Sequence, residues 1–229
     1  MQSYANEVDS SCLTLIANNQ CLNALEVCRI DAEQGDPKAQ TALGMLLSGI
    51  THGDFRKNYK QSFYWVQQAA EQGYSKAQFA IAEMYMNGQV VPMNAKKAKV
   101  WYEKAAAEDN LDGLNGLARL YRYGTGVRKD YEKAFQYYQQ AALEGHTRSQ
   151  VGLGLSYRDA KGVKKNMVKA YAWLLIAAEK IDKQKLQAIE KNYKDERENL
   201  DQTMPQCKYL SRLDQMSETM TIGYAKKML

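Results

Sequence analysis

Residues of like character recur at intervals of three and four along most of the chain, the spacing that lines one face of a helix. Ala77, Gln78, Ile81, Ala82 and Tyr85 keep it in one stretch, and Ala98, Trp101, Tyr102, Ala105 and Ala106 in the next. Asn87-Gly88 closes the first stretch with a helix-stop signal. A loop containing Val91-Pro92 follows. Asn94 then stands where a side chain can accept hydrogen bonds from the first free amides of a second helix. The pattern predicts a pair of helices, A and B.

The pair repeats with a period of 36 residues, seen in Trp65, Trp101, Tyr137 and Trp173. An alanine pair follows each aromatic, at 69/70, 105/106, 141/142 and 177/178, and Asn58, Asn94, Asp130 and Asn166 hold the same register. Four units are expected, over 35–72, 73–108, 109–144 and 145–178, with cap helices in 1–34 and capping helices in 179–229. The first unit is two residues longer, with the turn formers Thr51-His52-Gly53-Asp54 in its loop. One hairpin cannot bury its apolar face alone, so neighbours must stack. The small residues Gly44, Ala82, Ala118 and Gly154 on helix A allow close approach, and the Trp/Tyr column is expected in the core.

Gly73-x-x-x-Ala77-Gln78, Tyr85-x-x-Gly88 and Lys97-Ala98-x-x-Trp101-Tyr102-x-Lys104-Ala105-Ala106 resemble the Sel-one-like repeat (SLR), a relative of the tetratricopeptide repeat. The likeness covers about residues 24 to 178. Three positions depart from it: Leu47 where later units have tyrosine, Gly113-Leu114 for Ala-Gln, and Ala160 for glycine. The resemblance implies an all-α, right-handed alpha-alpha superhelix whose A helices line the curved binding face.

Composition adds little to the fold and more to the function. The chain is 45% hydrophobic, with only three prolines. Its net charge of +5 reads as spread along the sequence, without the concentrated patch that nucleic-acid binding needs. No apolar run approaches the roughly 20 residues of a membrane span. The polar start, Met1 to Glu7, resembles a mature N-terminus. Cys12, Cys21 and Cys28 crowd together while the repeats contain no cysteine, and Cys207 lies far off, a pattern that suits an oxidising compartment. Periplasmic or secreted placement is therefore expected, with a cytoplasmic protein as the alternative. Cys21 and Cys28 lie about 10 Å apart along one predicted helix, too far to pair. Cys12, on the preceding helix of a hairpin turning near Asn18-Asn19-Gln20, can face either of them, and Cys12–Cys28 is the first choice because both lie about two turns from the bend.

Catalytic chemistry finds no support in the residue pattern. His52 and His146 lack metal-ligand spacing to each other or to a cysteine, and no phosphate-cradling loop or nucleophile elbow is present. Neither an enzyme activity, a metal nor a cofactor is expected. Subtracting the periodic buried positions leaves outward columns on the A helices. These comprise Phe79, Asn115 and Val151; Glu83, Arg119 and Leu155; and Met86, Arg122 and Arg158. Thr41, Met45 and Ser48 join them in the first unit. Outward apolar side chains and arginines together suit a protein partner with an acidic and apolar patch. Similar SLR proteins serve as exported adaptors, host-interaction factors and immunity proteins against secreted toxins. The resemblance implies such a role, with a peptidoglycan- or β-lactam-binding regulator or enzyme of the cell envelope as the alternative.

Overall fold

A computed structural model describes residues 12, 14, 21–48, 58–88 and 90–178. Among them the chain forms nine helices and no strand: α1 (Cys21–Glu33), α2 (Pro37–Ser48), α3 (Tyr59–Glu71), α4 (Ser75–Asn87), α5 (Ala95–Ala107), α6 (Leu111–Tyr123), α7 (Tyr131–Leu143), α8 (Thr147–Asp159) and α9 (Met167–Ala178). The A helices are α2, α4, α6 and α8. The long first loop with His52, the tail with Cys207 and most of the N-terminal cap lie outside the described residues.

Each B helix starts on the predicted cap. The side chains of Asn58, Asn94, Asp130 and Asn166 accept from the amides of Gln61, Lys97, Lys133 and Lys169 at 2.9–3.1 Å. A cap of this kind stabilises a helix by about 1 kcal/mol. The stops are left-handed residues. Gly73 and Gly145 have φ of 91° and 83°, and Asp109 fills the same slot at 54°.

The chain divides into two compact units, Met1–Gly113 and Leu114–Leu229. In the first, each helix from α1 to α4 packs on its successor. Leu43 and Leu46 of α2 are buried with Ala24, Cys28 and Ala32 of α1, and Val66 and Ala69 of α3 with Ala77 and Ile81 of α4. Gly44 is where α2 meets α3: a Cβ there would overlap Val66, and the Ser62 hydroxyl donates to its carbonyl at 2.7 Å. Gln40 and Gln78 reach back eight residues to donate to the carbonyls of Ala32 and Ala70. Cys12 and Cys28 form a disulfide with Cα atoms 4.6 Å apart.

The second unit repeats these devices. Gln150 donates to the Ala142 carbonyl at 3.2 Å. A Cβ on Gly154 would lie 2.9 Å from Leu174 Cγ. Its core joins Ala118, Tyr138, Leu153 and Tyr157 to a run of α9 buried without a break from Ala170 to Ala178.

The aromatic column needs a correction. Trp173 is buried, but Trp65, Trp101 and Tyr137 are only half-buried. The fully buried positions stand one residue later, at Val66, Tyr102, Tyr138 and Leu174. Helix B turns the stripe Ala98, Tyr102 and Ala105 inward. Trp101 sits about 100° round the helix from Tyr102, and the Lys104 ammonium covers its ring at 4.1 Å.

Candidate protein-binding faces

In the first unit, Met45 stands exposed on α2, and Phe79 and Met86 are half-buried on α4. The Phe79 ring lies 6.0 Å from that of Tyr102. Glu83 accepts a hydrogen bond from the Tyr102 hydroxyl, so this carboxylate is tied to the core rather than held out toward a partner. Thr41, placed outward from sequence, is buried, and its hydroxyl donates to the Pro37 carbonyl at 2.7 Å. It closes its own helix turn instead of facing solvent.

In the second unit, Val151 and Leu155 are half-buried on α8, and Arg119 is exposed on α6. Asn115 corrects the expectation: it is buried, and its amide donates to the Ser149 hydroxyl at 3.0 Å. The Ser149 hydroxyl also meets His146 Nδ1 at 2.8 Å, so Asn115 and His146 share one internal polar site. His146, read as solvated, is half-buried there.

The arginine column is also occupied from within. Arg158 grips Asp159 through Nε and a terminal nitrogen, at 2.6 and 3.2 Å. Arg122 approaches the same carboxylate at 3.7 Å with only a tenth of its side chain exposed, and Lys161 comes to 3.8 Å. The Arg158 hydrogen bond and the surrounding positive charge hold the Asp159 carboxyl below the usual carboxylate range, against the opposing effect of its partial burial. Burial pushes the Tyr138 hydroxyl up, with Arg122 and Arg119 opposing. At neutral pH that phenol stays protonated.

Asp159 went unread as a site residue, yet its signal lay in the repeat register. The corresponding positions are Asn87 and Tyr123, so a carboxylate appears there only in the last of these three units. A second unread feature recurs. Lys97, Lys133 and Lys169 lie over the rings of Tyr85, Tyr121 and Tyr157 at 5.4–5.7 Å. Cations on A-helix tyrosines thus tie the starts of α5, α7 and α9 to the helix before each. No cluster of His, Cys, Asp or Glu among the described residues could hold a metal ion, and none of the described helices is long and apolar enough to cross a membrane.

The Sel1 repeat profile matches residues 37–74, 75–110, 111–146 and 147–182, well over half the chain. The chain belongs to the Sel1 repeat family. Its all-α fold is that of the Sel1 repeat solenoids, scaffolds that generally serve protein interaction rather than catalysis. A solved Sel1 repeat protein from Oxalobacter formigenes is similar at 28% identity and TM-score 0.71, over 80% of this chain and 74% of its own. An Escherichia coli protein described as a protective antigen of uropathogenic strains, c5321, is similar at 33% identity and TM-score 0.64. That match covers 69% of this chain but 33% of the antigen, so the chain spans only a third of its length. The immunity protein Pa5087 from Pseudomonas aeruginosa shares the Sel1 repeat fold at 20% identity and TM-score 0.53, over 78% of this chain and 71% of its own. No curated protein sequence matches.

Proposed function

We propose that this Sel1 repeat protein is a non-catalytic recognition module that holds its partner on the exposed faces of its A helices. The observation that carries the reading is the set of incompletely buried apolar side chains at A-helix positions: Met45, Phe79 and Met86 in the first unit, Val151 and Leu155 in the second. Apolar groups left accessible at a repeated position suit contact with a protein surface. We place the protein outside the cytoplasm, in the periplasm or secreted, because the Cys12–Cys28 bridge suits an oxidising compartment. Within that setting we assign it the role of an immunity protein against a secreted toxin, or of a host-interaction adaptor. A solved immunity protein with the same fold makes this a role the scaffold can carry.

The test is co-purification with the product of each adjacent gene, followed by binding kinetics on variants. Phe79→Ala and Leu155→Ala should speed dissociation, while Lys96→Glu on α5 should leave it unchanged. If the two apolar substitutions change nothing and Lys96→Glu abolishes binding, the A-helix reading is wrong.

A further inference from the structure

The second unit carries the chain's charge imbalance in two loops and the helix starts that follow them. Residues 124–133 hold Arg128, Lys129 and Lys133 against Asp130 and Glu132. Residues 160–169 hold Lys161, Lys164, Lys165 and Lys169 with no acidic residue. Of 31 basic and 26 acidic side chains in the chain, seven and two lie in these stretches, leaving 24 of each elsewhere. A charge that reads as dispersed along the sequence is therefore local.

The two stretches are neighbours in space. Gly162, at φ 75°, packs so tightly on the start of α7 that a Cβ would overlap the Tyr131 carbonyl. Lys129 and Lys161, one from each loop, lie 5.9 and 5.7 Å from the Tyr131 ring centre. Arg128, Lys129 and Lys133 also line a cleft of about 580 Å³ with Tyr121, Val127 and Asp130. The Asp130 carboxylate there already accepts from the Lys133 amide as the α7 cap. Arg128, Lys129, Lys133, Lys164 and Lys165 are exposed. Like charges gathered this way repel one another until something negative meets them.

We propose that this lysine-rich edge of the second unit docks an acidic segment of a partner protein, with carboxylates against the lysines and one apolar side chain in the cleft beside Tyr121 and Val127. The assignment rests on the protein-binding reading above and gives the partner its chemistry. It also moves the recognition of negative charge away from Arg122 and Arg158, which Asp159 already engages. The local chemistry favours a peptide over nucleic acid. Tyr121, Tyr131 and Tyr157 already have lysine ammonium groups over their rings, so they are poor platforms for bases. Six of the seven cations are lysines, compact point charges without the fork that reads phosphates and base edges bidentately.

The experiment uses the full chain and three fluorescent or labelled probes: a glutamate-rich decapeptide containing one leucine, a single-stranded oligonucleotide of equal charge, and vesicles of mixed phosphatidylserine and phosphatidylcholine. Two variants carry the same charge change, K129E/K164E/K165E in the loops and K60E/K76E/K96E in the first unit, with circular dichroism confirming that both fold. The peptide should bind the parent and weaken as salt rises. The loop variant should lose about tenfold or more in peptide affinity, and the first-unit variant less than about twofold. Equal losses in the two variants would overturn the proposal, because binding would then follow net charge alone. So would tighter binding of the oligonucleotide or the vesicles than of the peptide. These readings need no natural partner, so they fail or succeed separately from the A-helix test.

Discussion

Gly152 on α8 faces Tyr138 on α7 so closely that a Cβ on the glycine would stand 2.6 Å from the ring carbon Cε1. The ring is buried and has little room to retreat. Gly152→Ala should therefore destabilise the protein by about 1–3 kcal/mol, the usual cost of overpacking, even though alanine is the better helix former. Urea titration of the two proteins checks this. Equal midpoints and slopes would mean that the ring moves aside freely.

Tyr102 and Trp101 are adjacent in sequence but differ in burial. Tyr102→Ala removes a buried ring that also donates to Glu83, and should cost about 3–5 kcal/mol. Trp101→Ala removes a larger but half-buried ring and should cost less than Tyr102→Ala. Thermal melting of both variants ranks them, and the reverse order would restore Trp101 to the core.

Ala160 occupies the slot filled by Gly88 and Gly124 in the two preceding units, and it adopts the same left-handed backbone at φ 54°. A Cβ is disfavoured there by roughly 1–2 kcal/mol, while glycine adds unfolded-chain entropy that offsets part of the relief. Ala160→Gly should raise stability by up to about 1 kcal/mol. A fall in melting temperature would show that the methyl group contributes packing that outweighs the strain.

The Asp159 carboxyl has its pKa depressed by Arg158 and the neighbouring cations. A depressed folded-state pKa gives stability that is present above the ordinary carboxylate pKa and is lost as pH falls through the lowered value. Asp159→Asn should therefore cost about 1 kcal/mol or less at pH 7, the carboxylate being partly solvated. The gap between variant and parent should close as the pH is taken well below 4. A gap that stays constant with pH would assign the loss to shape rather than charge.

Much of the fold was legible because capping is local. Asn58, Asn94, Asp130 and Asn166 need only the three residues that follow them, so spacing alone located the B helices. Gly44 and Gly154 were legible as close approaches for a similar reason, since absence of bulk at a repeated position has few other uses. The inward face of helix B was harder. Position 101 is aromatic in every unit and position 102 is aromatic or aliphatic in every unit, and the period alone does not say which of two neighbours turns inward. The binding face suffered from pairings that cross between helices. Asn115 with Ser149, and Arg122 with Asp159, are set by how α6 and α8 meet, and no single column shows that. The basic edge stayed hidden because its cations come from stretches about 30 residues apart that only the folded chain brings together.

Three tryptophans at one repeat position now stand in three surroundings: Trp65 half-buried, Trp101 half-buried beneath the Lys104 ammonium, and Trp173 enclosed in the core. They therefore form a set of optical reporters distributed along the chain. Trp173 is the sole indole of the second unit, so a variant carrying Trp65→Phe and Trp101→Phe would emit from that unit alone. Its emission would start blue and move to the red as water reaches the ring, while Trp101 should respond to removal of Lys104 without any loss of structure. Repeat arrays melt as a sum of neighbouring interfaces, and in this chain the order in which those interfaces yield can be followed by light, without an added dye.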